Sequence, residues 1–472
     1  MKKFTILAVL LGFGFIASSQ IMFDNSYDFG ANDSDEAFGL VRAPDGGYVM
    51  SGGSWIDDDA WYDMAVIKTD AEGNKLWAKS FGAGTASIEV AYDLCNVNGG
   101  GYMVVGGTDG YGDPGDLWAI RIDDDGNKLW EKTYGGDNQE YGFAVIQTND
   151  DGFVFVGSSN SSGAGADDAY ILKTDVDGNE IWSKLYGTES ADCAYSVQQT
   201  TDGGYIVAGT NNGYQDVYIL RLDENGDMLW EKTYGGGPTD EAQSVKQTAD
   251  GGFIVAGSTR SYGAGDYDFW AIKINADGDM LWDKTYGGEG KDKGWDVAIT
   301  SDGSYFFTGM TESYNQAEED EGVYVIKTDS DGNTLWEQSY GTEQNDGGHA
   351  GFQTADGGYI ATGYTYVPDQ QYNFYLIKMN QNGVVGVENN IAEESAISVF
   401  PNPMTSYTRI AFSNDNNELF DVIISDINGR VVREMNRLSG NSVEIEKGNL
   451  PIGMYFIEIK ADKIYREKLM IK

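Results

Sequence analysis

The sequence predicts an all-β chain: a seven-bladed β-propeller closed by its own N-terminal strand, then a small C-terminal β-sandwich. Three observations carry this. Leu-Trp pairs, once Ile-Trp, end at Trp77, Trp130, Trp182, Trp230, Trp282 and Trp336, spaced 53, 52, 48, 52 and 54 residues apart. An Asp-Gly-Gly-aromatic turn, or a close variant, places its ring at Tyr48, Tyr102, Phe153, Tyr205, Phe253, Tyr305 and Tyr359, giving seven copies. The units lack helical periodicity and consist of short β-branched and aromatic runs between Gly/Asp turns. A period near 50 residues marks a propeller or a solenoid.

One unit shows the order of elements. Glu140 to Gln147 reads as the first strand, with a tight turn from Thr148 to Gly152. Phe153 to Gly157 is the second strand, followed by a longer loop from Ser158 to Asp168. Ala169 to Thr174 is the third. Asp175-Val176-Asp177-Gly178-Asn179 forms a hairpin, because Asp-Gly supplies the positive φ such turns need. Glu180 to Tyr186, with Trp182, is the fourth. Four antiparallel strands make one blade. The seventh unit lacks its fourth strand after Lys378, whereas Tyr27-Asp28-Phe29-Gly30 resembles the fourth-strand ending Leu185-Tyr186-Gly187. Phe29 lies 52 residues before Phe81, so the N-terminal strand is expected to complete the last blade and remove the exposed sheet edge.

Charge and composition exclude whole classes. The 472 residues carry 75 acidic and 31 basic side chains, a net charge of −44. Residues 20–396 hold 65 acids and 19 bases, and residues 397–472 hold ten of each. Such an excess repels phosphate backbones and anionic lipid, so neither nucleic acid nor a membrane surface is expected as a partner. His349, the single histidine, rules out a multi-His zinc site. Residues 1–19 read as a secretory signal: Lys2 and Lys3, an apolar run from Phe4 to Ala17, then a small-x-small cut before Gln20. No other segment is long and apolar enough to span a bilayer. Cys95 and Cys193 occupy non-equivalent repeat positions and read as free thiols.

Strands alternate direction, so connections alternate faces. One face collects the short Asp-Gly-Gly and Asp-x-Asp-Gly-Asn turns. The other collects loops of varied length that bear Trp55, Trp61, Tyr111, Tyr262 and Tyr314. Variation on a rigid frame marks this second face as the binding face. It also carries a sevenfold acidic position: Asp35, Glu89, Glu140, Asp192, Asp240, Asp292 and Asp346. Two readings compete for it. Each carboxylate caps its own loop by accepting backbone N–H bonds, or the seven ring the channel mouth and hold a cation or polar ligand. No cofactor is expected, and calcium stays open as the hard cation such a ring would attract. The Asp-x-Asp-Gly-Asn turns lack EF-hand spacing and read as hairpins. A further recurrence sets an acid or amide five or six residues before a base, as in Asp63/Lys68, Asp116/Arg121, Asp168/Lys173 and Asn373/Lys378. Five residues along a strand separate opposite faces, so these side chains are expected to bond between blades. The repeated Trp residues read as blade-core anchors.

The hairpin-plus-Trp pattern resembles the tryptophan-docked repeats of quinoprotein-like propellers, which implies the fold alone. Residues 387–395 read as a linker, and residues 396–472 as seven short strands. There Val399-Phe400-Pro401-Asn402-Pro403, Ile427-Asn428-Gly429-Arg430, Leu450 to Ile457 and Lys468-Leu469-Met470-Ile471-Lys472 resemble the type A C-terminal sorting domain of type IX secretion cargo. The resemblance implies export by the type IX machinery of Bacteroidota-type bacteria to the outer-membrane surface or the medium. Pro401, Asn402, Pro403, Gly453, Tyr455, Lys468 and Lys472 are the residues implied to form the sorting signal.

Three functions follow. The first is a non-enzymatic surface or secreted protein whose loop face binds a glycan, a protein or a cation-bridged ligand, with a polysaccharide or a surface protein as the partner. The second is a polysaccharide-degrading glycoside hydrolase, since two carboxylates suffice for that chemistry. The third is a structural or adhesive spacer. His349 sits near Asp346 with no serine motif beside it and reads as structural.

Overall fold

The computed structural model describes residues 22–29, 34–55, 62–82, 87–110, 115–314, 320–368, 370–385, 398–400, 404–411, 419–426, 430–460 and 464–472. The sequence-derived signal at 1–19 lies outside them. The chain divides into two compact units, Met1–Gly386 and Val387–Lys472.

Among the described residues the first unit holds seven four-stranded antiparallel sheets. Six are built from four consecutive strands, as in Glu140–Gln147, Phe153–Ser159, Asp168–Thr174 and Glu180–Tyr186. The seventh joins Gly347–Gln353, Tyr359–Val367 and Gln371–Met379 to Phe23–Tyr27, which pairs antiparallel with Gln371–Met379. The first strand of each sheet lines the channel, and the first sheet packs against the last. The second strand of six blades is buried along its whole length. Its run of β-branched and small residues fits a strand covered on both faces. The core lies between blades: Val154, Val156 and Ile171 of one meet Tyr205, Val207 and Leu220 of the next.

Each outer-strand Trp docks on the hairpin of the following blade. The indole N–H of Trp77 donates to Asp124 O at 3.1 Å, that of Trp230 to Ala276 O at 3.2 Å, and that of Trp336 to Gln381 O at 3.1 Å. In five of these six blades a tyrosine four residues on donates to the hairpin glycine carbonyl, as Tyr134 does to Gly178 at 2.7 Å and Tyr286 to Gly332 at 2.8 Å; the first blade has Phe81 there. The hairpin must offer glycine for two reasons. Gly332 has φ +74°, and a Cβ there would lie 2.8 Å from the Trp282 ring. Gly332→Ala is therefore expected to cost about 1–3 kcal/mol from backbone strain alone, with the displaced indole adding to it. Urea unfolding followed by tryptophan fluorescence measures this, and an unchanged midpoint would refute the docking.

At the closing seam, Phe23 takes the indole's place against Gly73, and the Tyr27 hydroxyl donates to Gly73 O at 2.6 Å. Tyr27, not Phe29, is thus the counterpart of the seam tyrosines. The register expected from Phe29 and Phe81 is off by two residues. A shift of two keeps every side chain on its own face, so sequence similarity alone does not choose between the registers. Phe29 packs instead on Phe374, with ring centroids 5.6 Å apart.

The second unit has a three-stranded sheet (Ser398–Phe400, Tyr407–Ala411, Ser442–Glu446) and a four-stranded one (Val431–Leu438, Phe420–Asp426, Gly453–Lys460, Ile464–Ile471). Met404, Ile410, Phe420, Val422, Ile424, Ile445, Ile457, Ile459 and Leu469 are among the side chains of its core. Among the described residues no helix is long and apolar enough to cross a membrane.

Candidate functional site

The repeated acids sit at the starts of the inner strands and are buried; Asp35 is 1% exposed, Glu140 2%, and Glu89, Asp192, Asp240, Asp292 and Asp346 0%. Six of the seven accept a backbone N–H of their own loop. Asp35 accepts the Phe29 N–H at 3.1 Å, Glu140 that of Gly136 at 2.8 Å, and Asp192 that of Thr188 at 2.6 Å. Asp240 accepts from Gly236 at 3.0 Å, Asp292 from Gly288 at 2.8 Å, and Asp346 from Thr342 at 2.6 Å. Hydroxyls from the second strand supply further bonds: Thr108 to Glu89 at 2.9 Å, Ser159 to Glu140 at 2.5 Å, and Thr259 and Thr311 to Asp240 and Asp292. Burial lifts the Asp35 carboxyl to about 6 against these bonds. This geometry is that of a loop cap.

The strand-three bases make their ion pairs within their own blade, although Lys68 also reaches across to the next, 5.8 Å from the centroid of the Tyr102 ring. Lys68, Lys173, Lys273 and Lys378 reach the Asp of the turn before the second strand: Asp45 at 2.7 Å, Asp150 at 2.8 Å, Asp250 at 3.0 Å and Asp356 at 2.9 Å. Antiparallel pairing sets the end of strand three beside the start of strand two, next to that turn. In the second blade the turn reads Asn98-Gly99-Gly100, with no acid, and Arg121 donates to backbone carbonyls, including Tyr102 O at 3.2 Å. Two acids of these pairs cap the second loop, Asp168 for the Ala164 N–H at 2.9 Å and Asp268 for the Gly265 N–H at 3.0 Å. In the Asp-x-Asp-Gly-Asn turns, Asp123 accepts the N–H groups of Asp125 and Asn127 at 3.0 and 2.8 Å. Among the described residues no group of three or more His, Cys, Asp or Glu is arranged to hold a metal ion.

The loop aromatics fold back on their blades. Tyr262 and Tyr314 are 44% and 45% exposed, and their hydroxyls donate to Gly235 O at 3.2 Å and Gly287 O at 3.0 Å. Trp55 is half-buried against Tyr62, with ring centroids 5.6 Å apart. Trp61 and Tyr111 lie outside the described residues, as do Pro401, Asn402 and Pro403 of the sorting motif. Gly453 opens its strand, and the Tyr455 hydroxyl donates to Pro451 O at 2.9 Å. Lys468 pairs with Phe456 in the ladder, and the Lys472 N–H donates to Met404 O at 2.9 Å.

Side chains from all seven inner strands enclose a cavity of about 630 Å³ on the channel axis. Each inner strand has a β-bulge around its fourth residue. The bulge turns two successive side chains into the lumen where strict alternation would allow one. The first of each pair is Phe38, Tyr92, Phe143, Tyr195, Gln243, Trp295 or His349, three residues beyond the repeated acid. Six of these form a chain of touching rings: Trp295–His349 at 4.9 Å, His349–Phe38 at 4.8 Å, Phe38–Tyr92 at 5.6 Å, Tyr92–Phe143 at 5.1 Å and Phe143–Tyr195 at 5.2 Å. Gln243 interrupts the girdle. Burial pulls the His349 imidazole down to about 4, so it is neutral near pH 7. Burial also pushes the Tyr92 hydroxyl up to about 12, aided by the charges of Tyr141 and Glu36.

The second of each pair forms a more polar tier that includes Asp93, Ser196, Ser244 and Asp296. These side chains bond across blades to the next bulge. Asp93 accepts the Val145 N–H at 3.0 Å, Ser196 that of Val245 at 3.2 Å, and Asp296 that of Gly351 at 3.2 Å. Asp296 also takes the Ser244 hydroxyl at 2.7 Å and lies 3.9 Å from Lys246. Burial raises the Asp93 carboxyl to about 7, against the N–H bonds from Val145 and Leu94. The variable loops do not reveal this cavity; an aromatic or His at the third residue past the acid, in six units of seven, is its signal in the sequence.

The fold and its channel define an all-β propeller joined to a separate β-domain. Residues 398–472 match the family described as secretion system C-terminal sorting domain, and residues 63–259 match the family described as outer membrane protein assembly factor BamB. The tail is a type IX sorting domain, and the chain is cargo of that system, exported to the cell surface or the extracellular space. Among solved structures, the WD40 domain of Neurospora crassa Pan2 is 10% identical over 75% of this chain and 91% of its own, with a TM-score of 0.47. Sqt1 from Chaetomium thermophilum is 12% identical over 72% and 82%, with a TM-score of 0.43. Puromycin hydrolase is 11% identical over 82% and 60%, with a TM-score of 0.44. Comparison with curated protein sequences finds no match.

Proposed function

We propose that this chain is a secreted or surface-displayed binding protein that holds its ligand in the propeller channel. The observation that carries the reading is the girdle of touching rings from Trp295 to Tyr195, set above a tier of polar side chains. Rings at the wall of a cavity offer apolar surface, and a few polar groups fix orientation, which is the usual make-up of a small-molecule site. The binding seat moves inward from the loop rim, because six of the seven rim carboxylates are engaged by backbone N–H groups of their own loops.

A glycoside hydrolase is the second reading, favoured by one observation. Asp93 and Asp296 share the cavity, and Asp93 is held at about 7 as a general acid would be. A panel of polysaccharides and oligosaccharides separates the two when binding and reducing-end release are both assayed. Binding weakened by Phe143→Ala, with no release, supports the binder. Release that Asp93→Asn abolishes supports the hydrolase. Ligands that bind equally well to Phe143→Ala would refute the channel as the seat.

A further inference from the structure

The cavity lining carries three carboxylates, Asp93, Glu241 and Asp296, against one ammonium, Lys246. Two of the three are compensated. Asp296 lies 3.9 Å from Lys246, and Glu241 lies 3.5 Å from Lys293. Asp93 is different. Among the described residues no Lys or Arg lies within ion-pair distance of it, and it is bonded to the N–H groups of Val145 and Leu94. A carboxylate withdrawn from water without a cation is costly and persists where it serves a purpose. Its surroundings say which. The bulge that aims Asp93 at the lumen aims Tyr92 with it, and Tyr92 touches both Phe38 and Phe143. One open carboxylate at the foot of an aromatic wall suits a cation with apolar substituents, whose charge is attracted to ring faces and to the carboxylate. It does not suit a hard metal ion, which needs six or more oxygens. The 65 acids of residues 20–396 further concentrate cations around the propeller.

We propose that the channel binds a small organic ammonium ion, its charged head on Asp93 and its apolar groups against Phe38, Tyr92 and Phe143. The proposal rests on the channel being the ligand seat and names the class of ligand. Unlike the loop carboxylates, Asp93 caps no loop, and beside the Val145 N–H it keeps acceptor capacity for the cation.

Titration calorimetry of the full chain tests this with choline, tetramethylammonium and n-butylammonium, against 3,3-dimethylbutan-1-ol as the uncharged shape-mimic of choline. Choline is expected to bind at least about tenfold more tightly than the alcohol, and Asp93→Asn to remove that preference while leaving the alcohol's affinity unchanged. Phe143→Leu is expected to weaken both. Equal binding of choline and the alcohol, lost in Phe143→Leu, would overturn the cation while leaving the channel as the seat. No heat from any ammonium ion up to about 10 mM would overturn the proposal outright, and the glycan panel then decides separately whether the channel binds anything. Choline binding unchanged in Asp93→Asn would also overturn it.

Discussion

Tyr27→Ala is expected to destabilise the propeller by about 3–5 kcal/mol, the cost of deleting a buried aromatic side chain. Tyr27 is 7% exposed and packs in one cluster with Leu40, Tyr48, Met50 and Phe374. Its hydroxyl also supplies the bond to Gly73 O that every docked seam tyrosine supplies to the next hairpin. Tyr27→Phe, which removes this donor and leaves the carbonyl the Asn25 amide at 3.1 Å, is expected to cost about 1 kcal/mol or less. The closing seam differs from the others in kind. Six blades are continuous in sequence, whereas the strand Phe23–Tyr27 reaches the seventh only by pairing with Gln371–Met379. Loosening it frees an edge on the last blade and the face it covers on the first. Urea midpoints of Tyr27→Ala and Tyr134→Ala, read beside limited proteolysis, test this. Both should fall, and only Tyr27→Ala should be cut early near its N-terminus. A Tyr27→Ala midpoint within about 1 kcal/mol of the parent would refute the seam.

Asp93→Asn is expected to make the propeller more stable, by about 2–4 kcal/mol at pH 8, even as it removes the preference for cations. The sign follows from where protons sit. In the unfolded chain Asp93 ionises near 3.8, and in the folded chain at about 7. Between those values the folded state holds a proton that the unfolded state has lost, so the parent loses stability as pH rises. Above 7 both states are ionised and the deficit is constant. The groups in its field are Lys246, which favours the charge, and Asp296, which opposes it. The amide introduced by Asp93→Asn does not titrate and keeps an oxygen for the Val145 N–H. The melting curves of parent and variant should therefore coincide at pH 4 or below, diverge from 4 to 7, and run parallel beyond. A variant less stable than the parent at pH 8 would show that the carboxylate is stabilised by contacts other than those described.

The architecture was legible because its signals are local and repeat. The Trp of each outer strand and the Gly of the hairpin it docks on are partners 44 to 50 residues apart in sequence, and the pairing recurs at six seams. The site was less legible for physical reasons. Strict alternation puts Asp93 on the same face as Glu89 and Ala91, inside the blade; only the bulge turns it into the lumen beside Tyr92. The girdle mixes Phe, Tyr, Trp and His, so it has no single-letter signature. The acids from Asp35 to Asp346 were conspicuous because they repeat, and they repeat because every blade needs the same loop cap. The bases from Lys68 to Lys378 went to the wrong partner for a related reason. Spacing along one strand does not say that the turn before the neighbouring strand lies alongside.

The closing pair of strands also orders events in time. Residues 23–27 are made first and wait for residues 371–379, about as long a wait as the propeller allows, and residues 398–472, which carry the address, are made after both. A chain broken off before its last blade lacks its closing partner and its address together. A chain that bears the address already contains every strand of the ring. The order of synthesis thus ties the address to completeness: a chain that bears its sorting domain already holds both strands of the closing seam.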